Sequence, residues 1–353
     1  MKSIFSLFMF LWLSAFYSSS FATNNNIAYL HKIYDAEDAI IDSKYERALA
    51  IYLEAFELKK EKIFTEDLFN ALKCALLTKE IEQSWVMAEK LAKTGVGGVF
   101  MKKHFERTLS ILDERRFELV CNAAAASKAY FAQMNDLLLD TLQKLYDEDQ
   151  YFHTLWLEKQ RKGINIDSIH QDSIYVLMSK EDTRLSKSLK AIYDEGHTLS
   201  EFELGAYVEG DSSLVNARGF TIIILHNYQG FENADTLFSS ILKSQIEQGD
   251  IKPIYLANLS DQNSTPLKDD YGCSTGGLIC KDNSIYFGRN TYQSGLHHEK
   301  IERNRKKIYL DSMKSQLRKV MFMHTANPEK FSFSIPRCLT HANVNASIYE
   351  LAK

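Results

Sequence analysis

A mainly α-helical chain, with helical hairpins in its first part and a second helical domain carrying a small β-hairpin, is what the sequence predicts. Three observations carry that expectation. All four prolines, Pro253, Pro266, Pro328 and Pro336, lie late in the chain, so nothing before them interrupts a helix. Apolar residues in the earlier stretch recur at steps of three and four, the period of a one-sided helix. Several helical stretches of the second part close at a glycine, Gly196, Gly230 and Gly249, the residue best suited to the turn after a last helical residue. With 353 residues, 45% hydrophobic and 12% aromatic, the chain can bury two sizeable cores, which excludes disordered, collagen-like and disulfide-scaffold classes. A net charge of −4 gives no global drive toward nucleic acid or an anionic membrane.

Residues 1–22 have Lys2, an uncharged run from Ile4 to Tyr17, and the small-x-small ending Ser20-Phe21-Ala22. That is the pattern of a secretory signal peptide, with cleavage expected after Ala22. The apolar run is short for a membrane span of about 20 residues, so no stable span is expected once the signal is removed. The chain is expected to be exported, periplasmic or extracellular.

From 23 to 128 the sequence predicts paired helices. Tyr45, Ala48, Tyr52 and Ala55 share one helix face, and Ile81, Ser84, Ala88 and Leu91 repeat the spacing 36 residues later. The Ala-x3-aromatic-x2-Ala order at Ala48, Tyr52 and Ala55 resembles the second helix of a tetratricopeptide repeat, whose period is about 34 residues. That resemblance implies a helical-repeat surface suited to a protein partner. Gly95-Val96-Gly97-Gly98 lacks the Lys-Ser/Thr ending of a phosphate loop and reads as a turn.

The second domain is expected over 129–322, beginning within a long helix from about Ala124 to Gly163. Further helices are expected near 180–195, 213–228 and 234–248, although Thr221–Leu225, rich in β-branched residues, also suits a buried strand. Ile285-Tyr286-Phe287 and Leu278-Ile279-Cys280 flank Asp282-Asn283 and predict a hairpin over 276–288. A helix from Ile301 to Met321 follows. Between Glu299 and Lys319 stand eight Lys/Arg and three acids, a net of +5, which suits either a solvated face or an acidic partner. Residues 323–353 read as an irregular tail.

On the long helix Leu138, Leu142, Leu145, Phe152 and Trp156 fall within about 80° of one another, and Asp149 lies in the middle of that stripe. A carboxylate there must be buried with partners or open the face to water. Gln150 lies beside it and His153 one turn on. His226 ends the apolar run Thr221–Leu225 and so enters the core or its margin. His297 and His298 are adjacent and their side chains diverge, and no Cys-x-x-Cys or Cys-x-x-His spacing is present. No metal site and no cofactor are therefore expected. Cys74 and Cys121 read as buried apolar side chains; Cys273 and Cys280 are a possible disulfide.

Taken in order, Tyr146-Asp147-Glu148-Asp149-Gln150, Leu225-His226-Asn227, Tyr255 to Asp261, Tyr271-Gly272 and Asn304-Arg305 through Leu310 resemble a functionally uncharacterised family of mostly bacterial domains, over roughly residues 125–320. The resemblance marks Asp149, Gln150, His226, Asp261, Tyr271, Gly272 and Arg305 as a candidate polar site. It also implies helix over strand for 214–228, and it implies no reaction. The chain departs from the pattern at Leu225, at Gln262 and at Cys273-Ser274.

The sequence thus favours an exported binding or scaffolding protein that uses helical repeats and a polar pocket, with a protein partner on the N-terminal helices. The alternative is an extracytoplasmic hydrolase, with Asp149 or Asp261 and His226 as an acid–base pair and Arg305 binding an anionic group. No nucleophile signature such as Gly-x-Ser-x-Gly is present, which weighs against an enzyme.

Overall fold

A computed structural model describes residues 24–161, 173–210, 213–214, 218–230, 237–261, 278–281, 284–287, 296–325, 327 and 330–333. It is mainly α-helical with a small antiparallel hairpin, as the sequence predicts.

The first part is a run of helices, each joined to the next by a short turn: α1 (24–41), α2 (Tyr45–Lys59), α3 (Thr65–Leu77), α4 (Ile81–Ala92), α5 (Gly98–Leu112) and α6 (Glu114–Met134). Helix α2 packs on α3, α3 on α4 and α5 on α6. The small-aromatic-small pattern explains the closeness. Ala48, Tyr52 and Ala55 are fully buried, the alanines letting helices approach while each large ring contributes roughly 1.5–3 kcal/mol of burial. Ser84, Ala88 and Leu91 are buried likewise on α4, whereas Ile81, expected on that face, is 48% exposed because it opens the helix just after the exposed turn at Lys79 and Glu80. Gly97, in the segment read as a turn, precedes α5 with φ +86°. A Cβ on Gly98 would stand 2.8 Å from the Cys121 carbonyl oxygen, so α5 and α6 meet almost backbone to backbone there. Cys74 and Cys121 are free and buried.

The second part comprises α7 (Asp136–Arg161), α8 (Ser173–Asp194), the single turn α9 (Glu201–Leu204), the strand pair β1 (Val208–Glu209) and β2 (Ser213–Leu214), α10 (Thr221–Gly230), α11 (Ser239–Gln248) and α12 (Pro253–Asp261). The hairpin β3 (Leu278–Lys281) and β4 (Ser284–Phe287) pairs Leu278 with Phe287 and Lys281 with Ser284, then α13 (Leu296–Lys307) and α14 (Met313–Thr325) follow. The stretch Thr221–Leu225 is helix, not strand. Its neighbours α7, α8 and α12 offer packed helix faces and no sheet edge, which overrides the local β preference.

Two expected long helices are each broken. The one drawn from Ala124 to Gly163 is α6 and α7, separated at Asn135, whose amide Nδ2 donates to the Phe131 carbonyl at 2.9 Å and to the Glu203 carbonyl at 2.8 Å. The one drawn from Ile301 to Met321 is α13 and α14, separated around Tyr309, which takes φ +62°.

Part of the basic face of that second pair meets acids of this same chain, while Lys306, Lys307 and Lys314 are exposed. Arg318 binds Asp38 at 2.8 Å and Asp42 at 2.5 Å, and Lys319 binds Glu37 and, at 2.7 Å, Asp311. Beyond α14, Phe331 and Phe333 have no regular secondary structure yet join the core of the N-terminal helices. Phe331 stacks on Tyr45 at 5.9 Å, and the Asn70 side chain bonds both the N–H and the carbonyl of Ser332. A second core lies among α7, α8, α10, α11 and α12. Lys252 ties the two parts together, 2.7 Å from both Glu66 and Asp67 at the start of α3. Across the same seam the Thr65 N–H, unpaired within its helix, donates to the Glu201 carboxylate at 2.6 Å, an N-terminal cap supplied from a distant element. No helix among the described residues is long and apolar enough to cross a membrane.

Candidate functional site

Helix α7 buries Leu142 and Leu145 on the second core and carries Asp149, 1% exposed, in the same stripe. Asp149 and His153 are one turn apart, so both project from one helix face. Helix α10 comes close because residue 219 is glycine, where a Cβ would lie 3.2 Å from the Tyr146 ring. That approach sets His226 opposite Asp149. Helix α8, packed on both α7 and α10, supplies Asp182.

The four side chains form two imidazole–carboxylate pairs laid on each other. His226 Nδ1 is 2.8 Å from Asp149 Oδ1, and His153 Nε2 is 3.0 Å from Asp182 Oδ1. The two imidazoles stack at 3.5 Å between centroids and 13° between planes. One potential ligand atom from each residue lies within 4.8 Å of all the others. Gln150 donates its amide Nε2 to Asp149 Oδ2 at 2.8 Å, so both oxygens of that carboxylate are engaged. Just outside, Arg184 bonds Glu148 and Glu181, neighbours in sequence of Asp149 and Asp182, and so straps α7 to α8. The carboxylates are sealed, and the group meets water through its imidazoles: side-chain exposure is 16% for His153 and 10% for His226, against 6% and 0% for their acids.

Of the residues marked in the sequence, Asp149, Gln150 and His226 therefore come together. Arg305 stands in a different polar group, 1% exposed. Its Nε donates to the Asp311 carbonyl at 2.7 Å and its Nη2 to Asp311 Oδ1 and to Gln316. In that group burial pushes the Glu37 carboxyl up to about 7, with Lys319 and Lys252 opposing the rise. Asp261 ends α12, but its side chain, Tyr271, Gly272 and the Cys273–Cys280 pairing lie outside the described residues. His297 and His298 open α13, and their side chains also lie outside them.

Asp182 was not singled out by the sequence reading, although a signal for it exists. Asp182, Leu185, Leu189 and Ile192 share one face of α8, all buried, which repeats the carboxylate-in-a-stripe anomaly of Asp149. Two such stripes in helices that pack together mark a pair of acids facing each other.

Chemically the group offers two nitrogen and two oxygen donors. It can orient an imidazole by a carboxylate, as acid–base chemistry requires, or surround a cation. No protein-family model, curated protein or solved structure matches the chain.

Proposed function

We propose that the chain is an exported binding protein. In this reading the N-terminal helices act as a scaffold and partner surface, and the second helical part holds a small polar ligand at Asp149, His153, Asp182 and His226. The observation that carries the reading is the stacked pair of imidazole–carboxylate contacts, with its acids sealed and its imidazoles reaching water. A polar group of that kind inside an apolar helix packing costs stability, and a ligand that completes it offsets the cost. The signal-like residues 1–22 support export.

A hydrolase is the second reading, favoured by the Asp149-oriented His226. It loses the anion-binding role given to Arg305, whose guanidinium is buried against Asp311 and Gln316.

Thermal melting of the chain against a panel of metal ions, nucleotides, sugars and cell-wall fragments tests the binding reading, with His226→Ala alongside. A ligand at a hundred times its Kd adds about 2.7 kcal/mol, a shift of a few degrees. The expected result is a shift in the wild type that a folded His226→Ala chain lacks. No shift with any compound, together with a lower baseline melting point in the variant, would make the histidine purely structural.

A further inference from the structure

We propose that Asp149, His153, Asp182 and His226 together bind one divalent first-row transition-metal ion, of the zinc class. This rests on the reading of the group as a ligand site and names its ligand.

Charge is the first argument. Asp149 and Asp182 are both buried, and among the described residues they bond His226, Gln150 and His153 and no Lys or Arg. Two carboxylates thus share an apolar packing without a Lys or Arg beside them, a costly state. A divalent ion offsets that cost, since it and two carboxylates with two neutral imidazole ligands sum to zero.

Geometry is the second. Zinc bonds to imidazole nitrogen and carboxylate oxygen are about 2.0–2.2 Å, which in a tetrahedron separates neighbouring ligand atoms by about 3.4 Å. The two nitrogen–oxygen pairs stand at 2.8 and 3.0 Å, and one ligand atom from each residue lies within 4.8 Å of the others, so the shell forms when each pair opens by about half an ångström and the two stacked rings tilt until both in-plane lone pairs aim at one point. On entry of the ion, a proton on the coordinating ring nitrogen moves to the ring's other nitrogen or to solvent.

Donor type is the third. Two imidazoles among four donors suit zinc and its first-row neighbours, whereas calcium and magnesium take oxygen almost throughout. The support is also in place. All four ligands stand on helices; Gln150 holds the Asp149 oxygen that faces away from His226, and Arg184 straps the ligand-bearing helices. Such outer contacts orient ligands and tune affinity. Four protein donors make the closed kind of site that holds a metal, in keeping with binding more than with catalysis.

The test uses the purified chain without an oligohistidine tag, stripped with chelator and titrated with Zn²⁺ alone. One equivalent is expected to bind and raise the melting temperature. Equilibrium dialysis of His153→Gln and His226→Gln is expected to show affinity at least about a hundredfold weaker, with helical content unchanged. Co²⁺ substituted in the wild type is expected to give the intense visible bands of a four-coordinate ion, which decides the matter even where a variant fails to fold. Failure of folded wild-type protein to hold stoichiometric Zn²⁺ and to develop those bands would overturn the inference. So would Zn²⁺ binding that survives folded His226→Gln unchanged. If Zn²⁺ fails while another compound of the panel still gives a His226-dependent shift, the metal falls and the polar-ligand reading stands; if nothing shifts, both fall.

Discussion

Asp149 shows how far single residues can be read. A carboxylate among Leu142, Leu145 and Phe152 is visible as an anomaly from helical spacing alone, and of the two outcomes that spacing allows, burial with partners or an opened face, the fold takes the first. Its partner His226 was also visible, at the end of an apolar run. Asp182 carries the same anomaly on α8, yet which carboxylate meets which imidazole is set by helix packing and cannot be read along one chain. Two carboxylates buried together have an unusual consequence. Asp182→Asn keeps an acceptor for His153 and removes one of two buried negative charges. The metal-free variant is therefore expected to melt a few degrees above wild type, from about 1 kcal/mol of relieved repulsion. Its Zn²⁺ affinity is expected to fall, the usual opposition of stability and function at a site. Melting curves in chelator, paired with dialysis, check both halves; a lower metal-free melting point would mean that the carboxylate is worth more to the fold than its charge costs.

At the scale of elements, the helices were legible and their interruptions were not. Helix α2 follows from alanines and aromatics at helical spacing, α4 from Ile81, Ser84, Ala88 and Leu91 at the same spacing, and the β3–β4 hairpin from apolar runs flanking Asp282-Asn283. The breaks at Asn135 and Tyr309 escape such reasoning because each is held by something remote or unusual. Asn135 reaches the Glu203 carbonyl on a later element, and Tyr309 adopts a left-handed φ. Likewise α10 reads locally as either strand or helix until the helices around it are known. Glycine at 98 belongs to the same scale, for it sets how closely α5 approaches α6. Gly98→Ala would put a Cβ 2.8 Å from the Cys121 carbonyl oxygen, and backbone on both sides leaves little room to yield. A loss of about 1–3 kcal/mol is expected, measured as a lower urea midpoint; an unchanged midpoint would show that the two helices separate freely.

Over the whole molecule, the two helical parts are joined by charge as well as by apolar contact. The Lys252 contacts to Glu66 and Asp67 lie beside Lys59, whose ammonium sits 3.8 Å from the Phe64 ring centroid and donates to the Gly249 carbonyl. Burial pushes Lys59 down to about 7, aided by the charge of Lys252, against the pull of Asp67, Glu201 and Asp250. Because its folded value lies below the unfolded one near 10.5, this group's contribution is present above that unfolded value and is lost as pH falls toward 7. Wild type is thus expected to gain stability from Lys59 between pH 7 and 10, and Lys59→Met to lack that gain. The variant should be the more stable chain at pH 7 by about 2 kcal/mol, allowing for water that still reaches the half-buried side chain. Urea midpoints of both chains at the two pH values measure it, and parallel pH profiles would exclude a depressed lysine at the seam.

The claim that a metal completes the Asp149–His226 group has its most direct test in X-ray absorption at the zinc edge, on chain loaded with one equivalent of Zn²⁺. The account predicts four nitrogen and oxygen neighbours at about 2.0 Å, with the outer-shell scattering of two imidazoles. Six water-like oxygens, or sulfur neighbours at about 2.3 Å, would place the ion elsewhere and contradict it.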